Sequence, residues 1–151
     1  MSNSEKKLPY EVFSIPIYKT NIGREFTKQE QDEFDTIIEK QLEGKDHHKD
    51  IKRNSVDKYL LKRKPFASIQ SFIDHHLKQF AVDIMGIYDP NVSLDITQSW
   101  LNATEPQQLF QIHYHCNSII SGVFYPKCLE LSGDKLDRIL FHRDEQNIMF
   151  Q

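Results

Sequence analysis

Cysteine is almost missing from this 151-residue chain: the two present, Cys116 and Cys128, lack C-x-x-C spacing. Two cysteines in a cytosolic chain are ordinarily reduced thiols, so neither a disulfide framework nor a zinc knuckle is expected. An excess of one charge is missing as well. With 19 Lys and Arg against 22 Asp and Glu, the chain has no broad cationic field for phosphate backbones, and nucleic acid is not the expected partner. No run approaches the roughly 20 apolar residues needed to cross a bilayer. The opening MSNSEKK carries no apolar secretory stretch, so a cytoplasmic chain with no membrane partner is expected. Repeats and low-complexity tracts are absent too, and the length suits a single domain over residues 1–151.

What is present runs as strand, helices and then strands. Residues 12–18 are rich in strand formers, and Pro16 places them at a sheet edge. Thr27 and Glu30 make a capping box ahead of Phe34, Ile37, Ile38 and Leu42 at helical spacing; this helix is expected to lie on a sheet. Residues 44–54 read as an exposed loop, with adjacent His47 and His48 solvated rather than metal-binding. The basic group Lys58, Lys62, Arg63 and Lys64 reads as a solvated approach to a helix in preference to an anion site. Ile69, Phe72, Ile73, Leu77, Phe80, Ala81 and Ile84 recur at three- and four-residue steps, which predicts a long amphipathic helix that Gly86 stops through a left-handed cap. His76 falls on or near its apolar face as a hydrogen-bonded core histidine, and Asp74, His75 and Lys78 face water.

From Ser93 the pattern changes to short strands at 93–101, 110–116, 119–125, 136–142 and 148–150, separated by turn signals at 103–107 and 132–134. Helices followed by strands make an α+β order. Within this half His113 and His115 stand one residue apart. Side chains alternate faces along a strand, so two such imidazoles project the same way and can converge on one ion. Neutral imidazole suits iron, zinc or copper. The alternative is a half-buried strand that leaves Gln111, His113 and His115 in water.

Three ordered blocks bear on that choice: TQSWLN at 97–102, HYHCNS at 113–118 and SGVFY at 121–125. In order and spacing they resemble a family of 2-oxoglutarate- and Fe(II)-dependent oxygenases found in bacteria and tailed phages. Three blocks are more specific than one H-x-H, and the likeness extends weakly to PIY at 16–18, to the acidic helix after Phe26 and to residues 134–150. Two departures alter the rim of the site. Cys116 stands where the family usually has proline, and Phe110 where a histidine or polar residue is usual.

The resemblance implies a double-stranded β-helix, or jelly roll, with two N-terminal helices behind it and the last strands absent. It implies Fe(II) held by His113 and His115, with 2-oxoglutarate as cosubstrate and oxidation of an unnamed substrate. In the family a distal histidine and a carboxylate-binding arginine follow the counterpart of Phe150; within this chain His142 and Arg143 are the candidates for those places. His115 occupies the position where most such oxygenases use aspartate, so a cupin-like three-histidine metalloenzyme is an alternative. Asn117, Ser118 and Tyr125 are candidate cosubstrate contacts, or equally turn and sheet residues. A non-catalytic β-sandwich module is the remaining alternative. A jelly roll cut short leaves unpaired edges, which predicts a homo-oligomer or a partner that completes the sheet.

Overall fold

A computed structural model describes residues 15–42, 53–103, 113–126 and 139. In chain order these form helix α1 (Lys28–Leu42), a short strand β1 (Arg53–Asn54), 3-10 turns at Leu60–Lys62 and Lys64–Phe66, helix α2 (Ala67–Asp83) and strand β2 (Asn102–Ala103). The predicted capping box is made in full. The Glu30 amide donates to Thr27 Oγ1 at 3.2 Å, and the Thr27 amide donates to Glu30 Oε2 at 2.8 Å. Two of the four amides left free by the first helical turn are thereby satisfied.

Arg24 extends this cap into tertiary structure. Its guanidinium donates to both carboxylate oxygens of Glu30 at 2.8 and 2.7 Å, and to Ser68 Oγ in the first turn of α2 at 2.9 Å. Glu30 is 1% exposed. A buried carboxylate is tolerable because a forked cation and two local donors surround it.

The core lies between the helices. Phe34 and Ile37 of α1 meet Leu60, Phe66 and Ile69, with Ile22, Phe26, Leu61, Ile73, Leu101 and Phe124 packed around them. Phe34 stacks on Phe66 at 4.6 Å between ring centroids, and Phe26 sets its edge against both Phe34 and Phe124. Helix α1 therefore packs on the Lys64–Phe66 turn and on β1 of the small ladder, and shares the core cluster with Ile69 of α2.

Helix α2 ends as its sequence predicts. Gly86 takes φ +67°, and the Ile87 amide turns back to donate to the Ala81 carbonyl at 2.9 Å. An added Cβ at Gly86 would meet only Tyr88 Cε2 at 3.9 Å, so backbone conformation alone sets the cost of a side chain there. Gly86→Ala is expected to destabilise the protein by about 1 kcal/mol, read as a lower urea midpoint with an unchanged slope. A neutral outcome would mean that the turn relaxes.

The jelly roll expected from the sequence is overturned among the described residues. They contain two helices and one antiparallel ladder of two residues per strand, Arg53 with Ala103 and Asn54 with Asn102, plus a single parallel bridge between Tyr59 and Ser99. No double-stranded β-helix is present in that part of the chain. Residues 15–18 form no strand but run along α2, where Tyr18 meets His76 and Phe80. Segment 93–101 pairs with residues that precede α2. Residues 113–116 and 119–125 form no ladder, and a turn at Cys116 and Asn117 interrupts the first of them. The physical reason is that β-propensity describes fit to a neighbouring strand and not a backbone preference of its own. Strand formers without a ladder partner stay irregular. The expected strands at 136–142 and 148–150 lie outside the described residues, apart from Ile139.

Candidate functional site

The site is assembled by a splice between two segments distant in sequence. Ser55 donates its amide to Leu101 O at 2.9 Å and accepts the Leu101 amide on its hydroxyl at 3.0 Å; Ser55 itself is 3% exposed. Five residues on, the Leu60 amide donates to Ser99 O, the Ser99 amide to Lys58 O, and the Leu61 amide to Ser99 Oγ, at 3.0, 2.8 and 3.0 Å. Serine suits both joints, because one small hydroxyl closes backbone gaps that a regular ladder would otherwise fill. The splice sets Trp100 beside Lys58, whose Nζ lies 5.5 Å from the indole centroid in a cation–π contact.

The HYHCNS block supplies the other wall. Downstream, Phe124 is held against Phe26, while the turn at Cys116 and Asn117 reverses the chain and Ser118 Oγ meets Ser121 Oγ at 2.9 Å. Asn and Ser at such a reversal satisfy local backbone or hydroxyl groups. His115 lies 5.5 Å from Trp100 between ring centroids, with 32° between planes, and 5.1 Å from His113 at 67°. Lys58, Trp100, His115 and His113 thus follow one another as a row, with both imidazoles exposed.

Whether that pair suits a metal is a question of spacing. Two imidazoles sharing one ion at about 2.1 Å per nitrogen, with 90–109° between them, place their centroids roughly 4.6–5.3 Å apart. The observed 5.1 Å falls inside this window, as does the 5.2 Å between His75 and His76, so the spacing permits a shared ion without singling out this pair. Among the described residues no group of three or more His, Cys, Asp or Glu side chains is placed to hold an ion. His142 and Arg143 lie outside the described residues. Of the candidate cosubstrate contacts, Asn117 sits exposed in the turn, Ser118 is engaged with Ser121, and Tyr125 is 46% exposed.

The basic group read as a solvated approach to a helix divides in the structure. Arg63 is committed: it donates to Glu33 Oε1 at 2.6 Å and to Asp57 Oδ2 at 2.8 Å. The Tyr59 amide, together with Arg63, holds the Asp57 carboxyl below the usual carboxylate range. Lys62 stands over the Tyr59 ring at 5.1 Å, and Lys64 is exposed. Lys58 is the member that reaches the histidine row, a placement no local pattern encodes because it depends on the pairing of 58 with 99.

In a second imidazole pair, His75 and His76, the latter is structural. The Tyr18 hydroxyl donates to Gln79 Oε1 at 3.1 Å and lies 2.7 Å from His76 Nδ1, and Thr20 Oγ1 lies 3.4 Å from His76 Nε2. With both ring nitrogens engaged, His76 fastens the N-terminal segment to α2; it is hydrogen-bonded as expected but half-buried rather than in the core. No helix among the described residues is long and apolar enough to cross a membrane. Comparison with protein-family models, curated proteins and solved structures found no match to this chain.

Proposed function

We propose that this chain is an Fe(II)- and 2-oxoglutarate-dependent oxygenase, or the iron-binding portion of one, with His113 and His115 as protein ligands. The observation that carries the reading is the 5.1 Å approach of the two imidazoles beside Trp100, within the ordered blocks TQSWLN, HYHCNS and SGVFY. Bound there, Fe(II) supplies the coupling of dioxygen reduction to decarboxylation of 2-oxoglutarate and oxidation of a substrate C–H bond.

The chain's own part is more limited. Two neutral imidazoles add no charge to the ion, which keeps it electropositive toward an anionic oxo acid and leaves positions open for other ligands. Trp100 covers one side of His115 and restricts its orientation. Asn117, Ser118 and Tyr125 offer hydrogen bonds to a polar ligand, and His142 and Arg143 remain the proposed third ligand and carboxylate partner. Ferrous ion titrated calorimetrically into anaerobic protein is expected to bind weakly at one site, and a His113→Ala, His115→Ala double variant is expected to lose that binding. Equal heats for the two proteins would remove the assignment.

A second reading, a non-catalytic interaction module, draws on the exposure of Tyr114, Ile119 and Val123, at 88%, 80% and 60%. Apolar side chains gathered in so short an exposed segment suit a protein partner. That reading gains if the double variant and the parent respond alike to iron.

A further inference from the structure

We propose that the C-terminal half of α2, together with the segment 15–20 that runs along it, is a face on which a second copy of this chain docks. The face is continuous because the segment runs antiparallel to the helix. Arg24 meets Ser68 in the first turn of α2, whereas Tyr18 meets His76, Gln79 and Phe80 two to three turns further on. Ile17 and Ile15 therefore lead toward the end of the helix, since three residues of extended chain cover up to about 10 Å, roughly the rise of six to seven helical residues. That brings them level with Ile84, one turn beyond Phe80.

The hydrophobic core stops short of this end. Ile69 and Ile73 of the helical stripe join the cluster with α1, and Phe80 and Ile84 do not. Ile15, Ile17, Tyr18, Ile84, Met85 and Tyr88 are left between 37% and 76% exposed. Two observations identify what covers them. The first is area: the exposed fractions amount to roughly 600 Å² of apolar surface, at the upper limit of the patches that monomers tolerate. Two such faces set together bury about 1,200 Å², which reaches the size of a specific protein–protein interface. The second is charge. Lys19 on the segment and Asp83 on the helix are both exposed, and neither enters an ion pair among the described residues. One charge of each sign leaves the face neutral, so it does not repel its own copy as a face of one sign would. Residues 15–20 also make no backbone–backbone hydrogen bond among the described residues, which leaves their carbonyls and amides open to a partner. This face is distinct from the terminal strand edges through which the sequence predicted association.

Sedimentation velocity of the full-length chain over a concentration series is the test. A monomer–dimer equilibrium with a Kd in the micromolar range is expected, as suits an interface at the small end of the specific class. Ile17→Glu and Ile84→Glu each set a charge on the apolar face, and each is expected to weaken association at least tenfold. Both positions are exposed, so the thermal transition followed by circular dichroism is expected to persist in both variants. The milder Ile17→Ser is expected to weaken association severalfold, and Ile17→Val to retain it. Ile119→Glu alters an equally exposed isoleucine elsewhere in the chain and is expected to leave association unchanged. A parent that stays monomeric at every concentration overturns the proposal. So does a dimer that persists in both glutamate variants at position 17 and position 84, or one that dissociates in Ile119→Glu.

Discussion

Phe66→Ala is expected to cost about 4 kcal/mol, the largest loss from a single truncation among the described residues. Phe66 is 1% exposed, stacks on Phe34 at 4.6 Å and belongs to the hydrophobic cluster joining α1 to the turn that opens α2. Removing a fully buried phenyl ring forfeits its transfer free energy and leaves a cavity that a rigid neighbourhood fills only in part, typically 3–5 kcal/mol together. Domains of this size hold roughly 5–15 kcal/mol in all, so the variant is expected to lose a quarter or more of the total stability. Chemical denaturation followed by far-ultraviolet circular dichroism checks this. A loss below about 1.5 kcal/mol would mean that α1 and α2 do not depend on this contact. Phe66→Leu, which keeps most of the volume, is expected to recover more than half of the deficit.

Loss of the Glu30 carboxylate is expected to rank second, and pH reveals it without mutation. Hydrogen bonds from Arg24, and then from the Thr27 amide and hydroxyl, hold the Glu30 carboxyl down at about 2 against an ordinary value of 4.5, in opposition to burial, which pushes it up. The folded state therefore binds this proton less readily than the unfolded chain does. Its contribution is complete above about pH 4.5 and disappears as pH falls toward about 2. At 1.36 kcal/mol per pH unit that is at most about 3.5 kcal/mol, and Glu30→Ala is expected to show a loss of similar size at neutral pH because the capping box goes with it. The two effects share one cause, so the variant is expected to have a flatter stability profile between pH 5 and pH 2, the window set by the lowered value. Thermal unfolding across that range is the measurement. Parallel pH profiles for parent and variant would place the acid sensitivity in other carboxylates.

Helical features proved legible because they are local. A cap requires residues three apart, an apolar stripe residues three and four apart, and a left-handed stop one glycine; Thr27 with Glu30, the run from Ile69 to Ala81, and Gly86 each met those conditions without help from the rest of the chain. The bonded role of His76 was also readable from its place on the helix, although its partners Tyr18 and Thr20, more than fifty residues earlier, were not.

Sequence alone thus determined the capped start of α1 and the glycine stop of α2. It left open what the extended segments pair with, because a strand needs a neighbour and many apolar segments are acceptable neighbours. The fold resolved that choice by joining 97–103 to 53–61 through Ser55 and Ser99, in place of stacking it with the histidine segment in a jelly roll. The same joint placed Lys58 on Trp100, and packing outside the local cap brought Arg24 onto Glu30 and Ser68. Each of these depends on backbone groups far apart in the chain finding one another, and only tertiary structure decides which of them do.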